Sequence, residues 1–171
     1  MFFSLAFAYD IVEKRAIRIL IGETMFDDHY FMRQALAEAK KAQAQGEIPI
    51  GAIVVCQNQI IARAGNQTET LNDVTAHAEM LAITAATGAL GGKYLTECTL
   101  YVTVEPCLMC AGALSWAQVG KVVYGASDPK RGYHIFTENP FHPKTIIERG
   151  VMEAECGELL SHFFQNKRLK I

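Results

Sequence analysis

No apolar run in this chain approaches the roughly 18 uninterrupted residues that a membrane-spanning helix needs, so the sequence predicts no transmembrane segment and no membrane partner. It also lacks a strong net charge: 16 Lys and Arg stand against 18 Asp and Glu, a formal −2. The chain as a whole is not a polycation, and a nucleic-acid partner would have to be met by a local basic patch. Cysteine is sparse and odd in number. Cys56, Cys98, Cys107, Cys110 and Cys156 include one tight pair, which argues against a disulfide framework and for a reducing, cytoplasmic setting. There is no internal repeat and no linker, and the Gly-rich "GALGGKYL" lacks phosphate-loop spacing and reads as turn chemistry.

What is present fits one globular domain. The chain has 171 residues, 50% hydrophobic and 20% charged, enough to bury a real core. Residues 1–24 stand apart. "MFFSLAFAYD" has a short apolar run without the charged n-region of a signal peptide, and clean helical periodicity begins only after Met25. The expectation is an N-terminal extension, 1–24, from a mis-assigned start, followed by a domain over 25–171.

The "DDHYFMRQALAEAKKAQAQG" stretch predicts a helix, with Asp27 and Asp28 at its N-terminus and Gly46 at its stop. "IGAIVVC" and "IIARAG", joined by the polar turn "QNQ", predict an antiparallel hairpin. A loop over 66–74 leads to a second helix over about 76–86, with Thr75 as its expected N-cap. "CTLYVTV" predicts a third strand, Pro106 opens a helix holding Cys107 and Cys110, and "KVVYGA" is a fourth strand. A long loop spans 127–143, "RGVMEA" is an expected fifth strand, and Cys156, Leu159, Leu160, Phe163 and Phe164 mark an amphipathic last helix. Phe163 and Phe164 are adjacent and cannot both face the core. Alternation of strands and helices predicts an α/β fold, a mixed sheet with helices on both faces. Cys56, Cys98 and Cys156, in apolar patterns, read as buried structural thiols.

Two short motifs carry chemistry. In "VTAHAEML" His77 and Glu79 stand two apart at a helix start; in "VEPCLMC" Cys107 and Cys110 stand three apart behind Pro106. Two thiolates and one imidazole suit zinc and leave a fourth tetrahedral position for water, which is the catalytic pattern rather than the closed structural one. Residues two apart on a helix point about 200° apart, so His77 and Glu79 can meet only at a metal beyond the first turn, with His77 as ligand and Glu79 reaching the water. Alone, His-x-Glu is an ordinary capped helix start, and Cys-x-x-Cys is equally a redox pair or half of a structural zinc site. Together, His-x-Glu followed by Pro-Cys-x-x-Cys is an established signature of zinc nucleobase deaminases.

Beyond that signature, "HYFMRQALAEAKKA", "IPIGAIVV", "NQTETLNDVTAHAEM", "LYVTVEPCLMCAGAL", "VVYGASDPKRG" and "LLSHFFQNKR" resemble, in order, the bacterial tRNA-specific adenosine deaminases over about residues 27–168. The resemblance implies a three-layer α/β/α cytidine deaminase-like fold with a five-stranded sheet, a Zn2+ cofactor, and hydrolysis of a wobble adenosine to inosine. It implies His77, Cys107 and Cys110 as ligands and Glu79 as the proton shuttle. Asn66 and the Ala78 backbone N–H match groups that hold the base, Ile48, Val104 and Ala126 match pocket walls, and Asp128 matches a residue near the substrate backbone. Without the resemblance, Asn66 and Asp128 are turn residues and the three apolar residues are core.

Lys130, Arg131, Lys167, Arg168 and Lys170 are candidate phosphate contacts, and Phe164 and Arg168 match an RNA-binding C-terminal helix. An anticodon stem-loop partner and a homodimer are implied. The segment "RGYHIFTENPFHPK", with His134 and His142, departs from the small-residue loop of many family members. Two other readings are open: a deaminase of a free base or nucleoside of guanine or cytidine type, and a non-catalytic, zinc-stabilised RNA-binding subunit.

Overall fold

A computed structural model describes residues 26–168; the expected 1–24 extension and Lys170 lie outside these. Helix α1 (Asp28–Ala44) begins at Asp27, whose carboxylate accepts the Tyr30 N–H at 2.7 Å, satisfying one of the orphan donors of the first turn. It stops at Gly46, in the left-handed region at φ 83°, where a side chain would be strained. Strands β1 (Gly51–Cys56) and β2 (Gln59–Gly65) form the expected hairpin. Its two-residue turn, Gln57 and Asn58, has φ 50° and 61°, the left-handed geometry that matches strand twist.

Helix α2 (Ala78–Leu90), strand β3 (Cys98–Val104), helix α3 (Leu108–Trp116), strand β4 (Lys121–Ala126), strand β5 (Ile146–Arg149) and helix α4 (Glu153–Arg168) follow. The sheet order is β2-β1-β3-β4-β5. β1 runs antiparallel to β2 and β3, whereas β3, β4 and β5 are parallel. The α/β class with a mixed five-stranded sheet is as expected.

The layers follow from side-chain alternation along the strands. Val54, Leu100, Val102, Val122 and Tyr124 pack under α2 and α3 with Ala78, Ala82, Ala86, Ala111 and Leu114. Ile53, Val55, Tyr101 and Val123 face α1 and α4, with Phe31, Met32, Leu36 and Cys156. Burying side chains such as Phe31, Met32 and Leu36 contributes about 1.5–3 kcal/mol each. The alanine spacing of α2 brings it close to the sheet. On the opposite face, a Cβ on Gly51 would strike the backbone of Ala35 and Ala39, so glycine lets α1 lie directly on β1.

Four expectations need correction. The second helix starts at Ala78 with His77 as N-cap; Thr75 lies two residues ahead of that cap and donates its N–H (2.8 Å) and hydroxyl (2.7 Å) to Asp73 Oδ1, in the turn before the helix. Cys107 is the N-cap of α3 rather than inside it. The fifth strand is Ile146–Arg149, not "RGVMEA", because Gly150 and Met152 take φ 79° and 57° and break the extended backbone. Cys56 is only half buried, whereas Cys98 and Cys156 are buried. Phe163 is buried and Phe164 exposed, as their adjacency requires.

Candidate metal and catalytic site

Helices α2 and α3 both begin beyond the strand ends, and their N-caps are His77 and Cys107. The His77 Nδ1 atom lies 3.4 Å from Cys110 Sγ and 3.7 Å from Cys107 Sγ. One ligand atom from each of the three residues lies within 4.8 Å of the others. Helix N-termini favour negative charge, but the two thiols diverge: Cys110 is pushed up by its bond to Cys107 and by burial. Cys107 is drawn down to about 4, chiefly by the Cys110 thiol and the His77 ring that hydrogen-bond to it. His77 is raised by its bond to Cys107, while Arg131 is near enough to oppose its protonation.

Glu79, one turn-start further on, is 96% buried in the sense that only 4% of its surface is exposed. Its Oε2 atom has no hydrogen-bond partner. Burial pushes its carboxyl up to about 7, the nearby Cys107 thiolate adding to the effect. An orphaned carboxylate oxygen beside a His–Cys–Cys cluster is what an open zinc site with a water-directed base requires. The donor set therefore fits zinc, with three protein ligands.

The other expected residues divide. Asn66 is buried at the end of β2, its N–H bonded to the Ile50 carbonyl at 2.9 Å. Ile48 is half buried, in the segment leading into β1. Ala78 opens α2. Val104 and Ala126 are register partners at the ends of β3 and β4, but Ala126 packs in the cluster under α1 and α4. Asp128 organises a turn: its Oδ1 accepts the N–H groups of Lys130 (2.9 Å) and Arg131 (3.1 Å). Lys130 and Arg131 are exposed on this turn. Phe164, Lys167 and Arg168 are exposed on α4, which lies on the face of the sheet opposite α2 and α3.

Sequence reasoning missed two buried carboxylates. Glu105 is buried between β3 and Pro106. It accepts the Asp128 N–H at 3.1 Å, the His134 N–H at 3.1 Å and His134 Nδ1 at 2.7 Å. This ties the divergent loop to the metal cluster, where Gly132 bridges Cys107. A Cβ on Gly132 would collide with the Glu105 carboxyl and the Asp128 carbonyl. Glu47 is fully buried beside Asn66. The available signal was a lone Glu inside each otherwise apolar run, "GEIPIG" and "TVEPC".

Residues 25–126 match the model of the cytidine and deoxycytidylate deaminase zinc-binding region. The chain is 48% identical over 151 residues to the tRNA-specific adenosine deaminase of Bacillus subtilis, covering 85% of this chain and 94% of that one. A solved structure from biochemical and structural studies of A-to-I editing by tRNA:A34 deaminases superposes with a TM-score of 0.71 at 44% identity, over 77% of this chain and 99% of its own. The guanine deaminase structure from Bacillus subtilis superposes less well, with a TM-score of 0.57 at 41% identity over 59% of this chain and 65% of its own. The fold, the His–Cys–Cys cluster and these likenesses converge: the chain belongs to the tRNA-specific adenosine deaminase family of zinc-dependent enzymes.

Proposed function

We propose that this chain hydrolyses the wobble adenosine of a tRNA anticodon loop to inosine and ammonia. The observation that carries the reading is the buried Glu79 carboxyl, its Oε2 atom without a partner, beside His77, Cys107 and Cys110, in a chain whose relatives of near-full-length coverage are tRNA-specific adenosine deaminases. When bound, zinc supplies Lewis acidity that brings a water's pKa toward about 7. Glu79 takes a proton from that water and delivers it to adenine N1 as the oxygen bonds to C6. It then takes the remaining proton from the new C6 hydroxyl and hands it to the amine as the C6–N6 bond breaks, leaving the C6 carbonyl of inosine and releasing ammonia, so one carboxylate serves both transfers.

Asn66, Ile48, Val104 and the Ala78 N–H form the base pocket in this reading, with the adenine unstacked from its loop to enter it. Ala126 contributes through its backbone, which accepts the Glu105 N–H at 2.8 Å. Asp128 holds Lys130 and Arg131 at the rim to meet phosphate. Phe164, Lys167 and Arg168 are further RNA contacts. The exposed Leu108, Met109 and Trp116 of α3, the last 86% exposed, support a homodimer, since an apolar patch of this kind marks an interface. The working setting is cytoplasmic, where thiols stay reduced, and catalysis resides in residues 25–171, so removal of 1–24 leaves turnover unchanged.

A direct test incubates the zinc-loaded protein with an anticodon stem-loop bearing a wobble adenosine and, separately, with guanine, cytidine and adenosine. Inosine in the stem-loop, read by reverse transcription, supports the proposal. Turnover of the free compounds alone would replace it with a free-base deaminase, and no turnover of any would favour a binding subunit. Sedimentation of wild type and Trp116→Glu tests the dimer.

A further inference from the structure

Glu47 sits between α1 and β1 with none of its surface exposed. A carboxylate so placed is strongly disfavoured unless hydrogen bonds replace its water. Oε1 accepts the Thr70 N–H at 2.7 Å and the Thr70 hydroxyl at 2.8 Å. Oε2 accepts from Asn66 Nδ2 at 3.0 Å, the Glu69 N–H at 3.3 Å and the Thr68 hydroxyl at 3.4 Å. Burial favours the neutral acid, but the bonds from Thr70, Glu69 and Asn66 outweigh it and keep Glu47 below the usual carboxylate range.

An ionised carboxylate can only accept, whereas a side-chain amide donates at one end and accepts at the other. Glu47 therefore dictates which way the Asn66 amide points. Nδ2 must face Oε2, because the flipped amide would set two acceptors against each other. The second Nδ2 hydrogen meets the Thr68 hydroxyl at 3.0 Å, on the same loop. The next residue, Gln67, donates its N–H to the Ala76 carbonyl at 3.0 Å, immediately before His77. The loop anchored on Glu47 thus carries both Asn66 and the lead-in to the metal ligand.

We propose that Glu47 is a positioning residue for base recognition, locking the Asn66 amide in one orientation and so fixing the hydrogen-bonding pattern that a bound nucleobase meets. The proposal rests on the reading of Asn66 as a base-pocket residue. Without Glu47 the amide can present either end, and substrate binding suffers more than the chemical step.

The test compares full-length, zinc-loaded wild type, Glu47→Gln and Asp28→Asn, the last a destabilising control at the Lys121 end of β4. Melting temperature, zinc content, kcat and KM on the stem-loop are measured, with the 15N-labelled Asn66 side-chain amide, assigned by its loss in Asn66→Asp, as a readout independent of activity. The expected result is a single, slowly exchanging Asn66 amide in wild type and in Asp28→Asn. Glu47→Gln should show a fast-exchanging or doubled signal, with KM raised at least tenfold, kcat within about threefold and zinc retained.

If Glu47→Gln fails to fold, the pair exchange Glu47→Gln with Asn66→Asp decides. It should regain melting temperature over Asn66→Asp alone while KM stays high. Wild-type KM and amide signal in Glu47→Gln, or a loss of activity that merely tracks melting temperature as in Asp28→Asn, would overturn the proposal, as would a rapidly exchanging wild-type amide or a pair exchange with no regain. Should wild type turn over guanine but not the stem-loop, the tRNA reading fails, and the amide signal and the KM for guanine still judge Glu47.

Discussion

The Nδ1 atom of His77 lies 3.4 Å from the Sγ atom of Cys110, although 33 positions separate them in the chain. β3 and the two helix starts on either side of it produce that approach. Placing the ligands on N-caps and first turns holds them rigidly at the positive ends of two helices.

Because Glu79 Oε2 has no partner to lose, Glu79→Ala should keep its fold and its zinc. With the proton shuttle gone, kcat should fall by about 10²–10⁴. Elemental analysis and steady-state kinetics check this, and near-normal kcat in the zinc-loaded variant would reject the mechanism.

Cys110→Ser replaces a buried thiol by a harder, poorer zinc ligand. Zinc content should drop well below one per chain, and the melting temperature should fall with it because binding energy is lost from the folded state. Chelation of the wild type should abolish turnover, and added zinc should restore it. Activity that survives full metal removal would contradict the site.

Gly132→Ala would drive a methyl group into the Glu105 carboxyl and the Asp128 carbonyl. Overpacking of this sort costs about 1–3 kcal/mol, and the strained loop includes the bridge to Cys107. Both a lower melting temperature and a weaker zinc affinity are expected, measured by thermal denaturation and by competition with a chromogenic chelator. An unchanged zinc affinity would show that the loop does not support the ligand.

Asp28 accepts from the Tyr101 hydroxyl at 2.6 Å and from Lys121 Nζ at 2.8 Å. Burial works against its ionisation, but the Lys121 and Tyr101 bonds prevail and hold its carboxyl below the usual carboxylate range. A depressed carboxylate stabilises the fold fully above its unfolded value, and that stability disappears as pH falls through the folded value. Asp28→Asn should therefore cost on the order of 1 kcal/mol at pH 7, the site being partly exposed and screened. The gap to wild type should narrow progressively as pH falls below the ordinary carboxylate range toward the lower folded value. Melting curves at pH 7 and pH 3 test the sign, and a gap that widens in acid would refute it.

By itself the sequence determined the strand and helix order, the stop at Gly46, the hairpin turn and the members of the His–Cys–Cys cluster, because each is written in local periodicity, turn chemistry or spacing. His77, Glu79, Cys107 and Cys110 were legible since metal chemistry restricts both residue type and separation. Only the tertiary structure decided the rest. Thr75 is held in the turn before the helix by its bonds to Asp73, which leaves His77 as the N-cap, and the last strand moved to Ile146–Arg149 because Gly150 and Met152 turn left-handed. Ala126 packs away from the α2 and α3 face, which no apolar pattern distinguishes from a pocket wall. Glu47 and Glu105 were passed over in the sequence; their importance lies in donors 19 to 29 positions away. A buried carboxylate is tolerable only where distant N–H and hydroxyl groups converge on it, and that convergence exists in three dimensions alone.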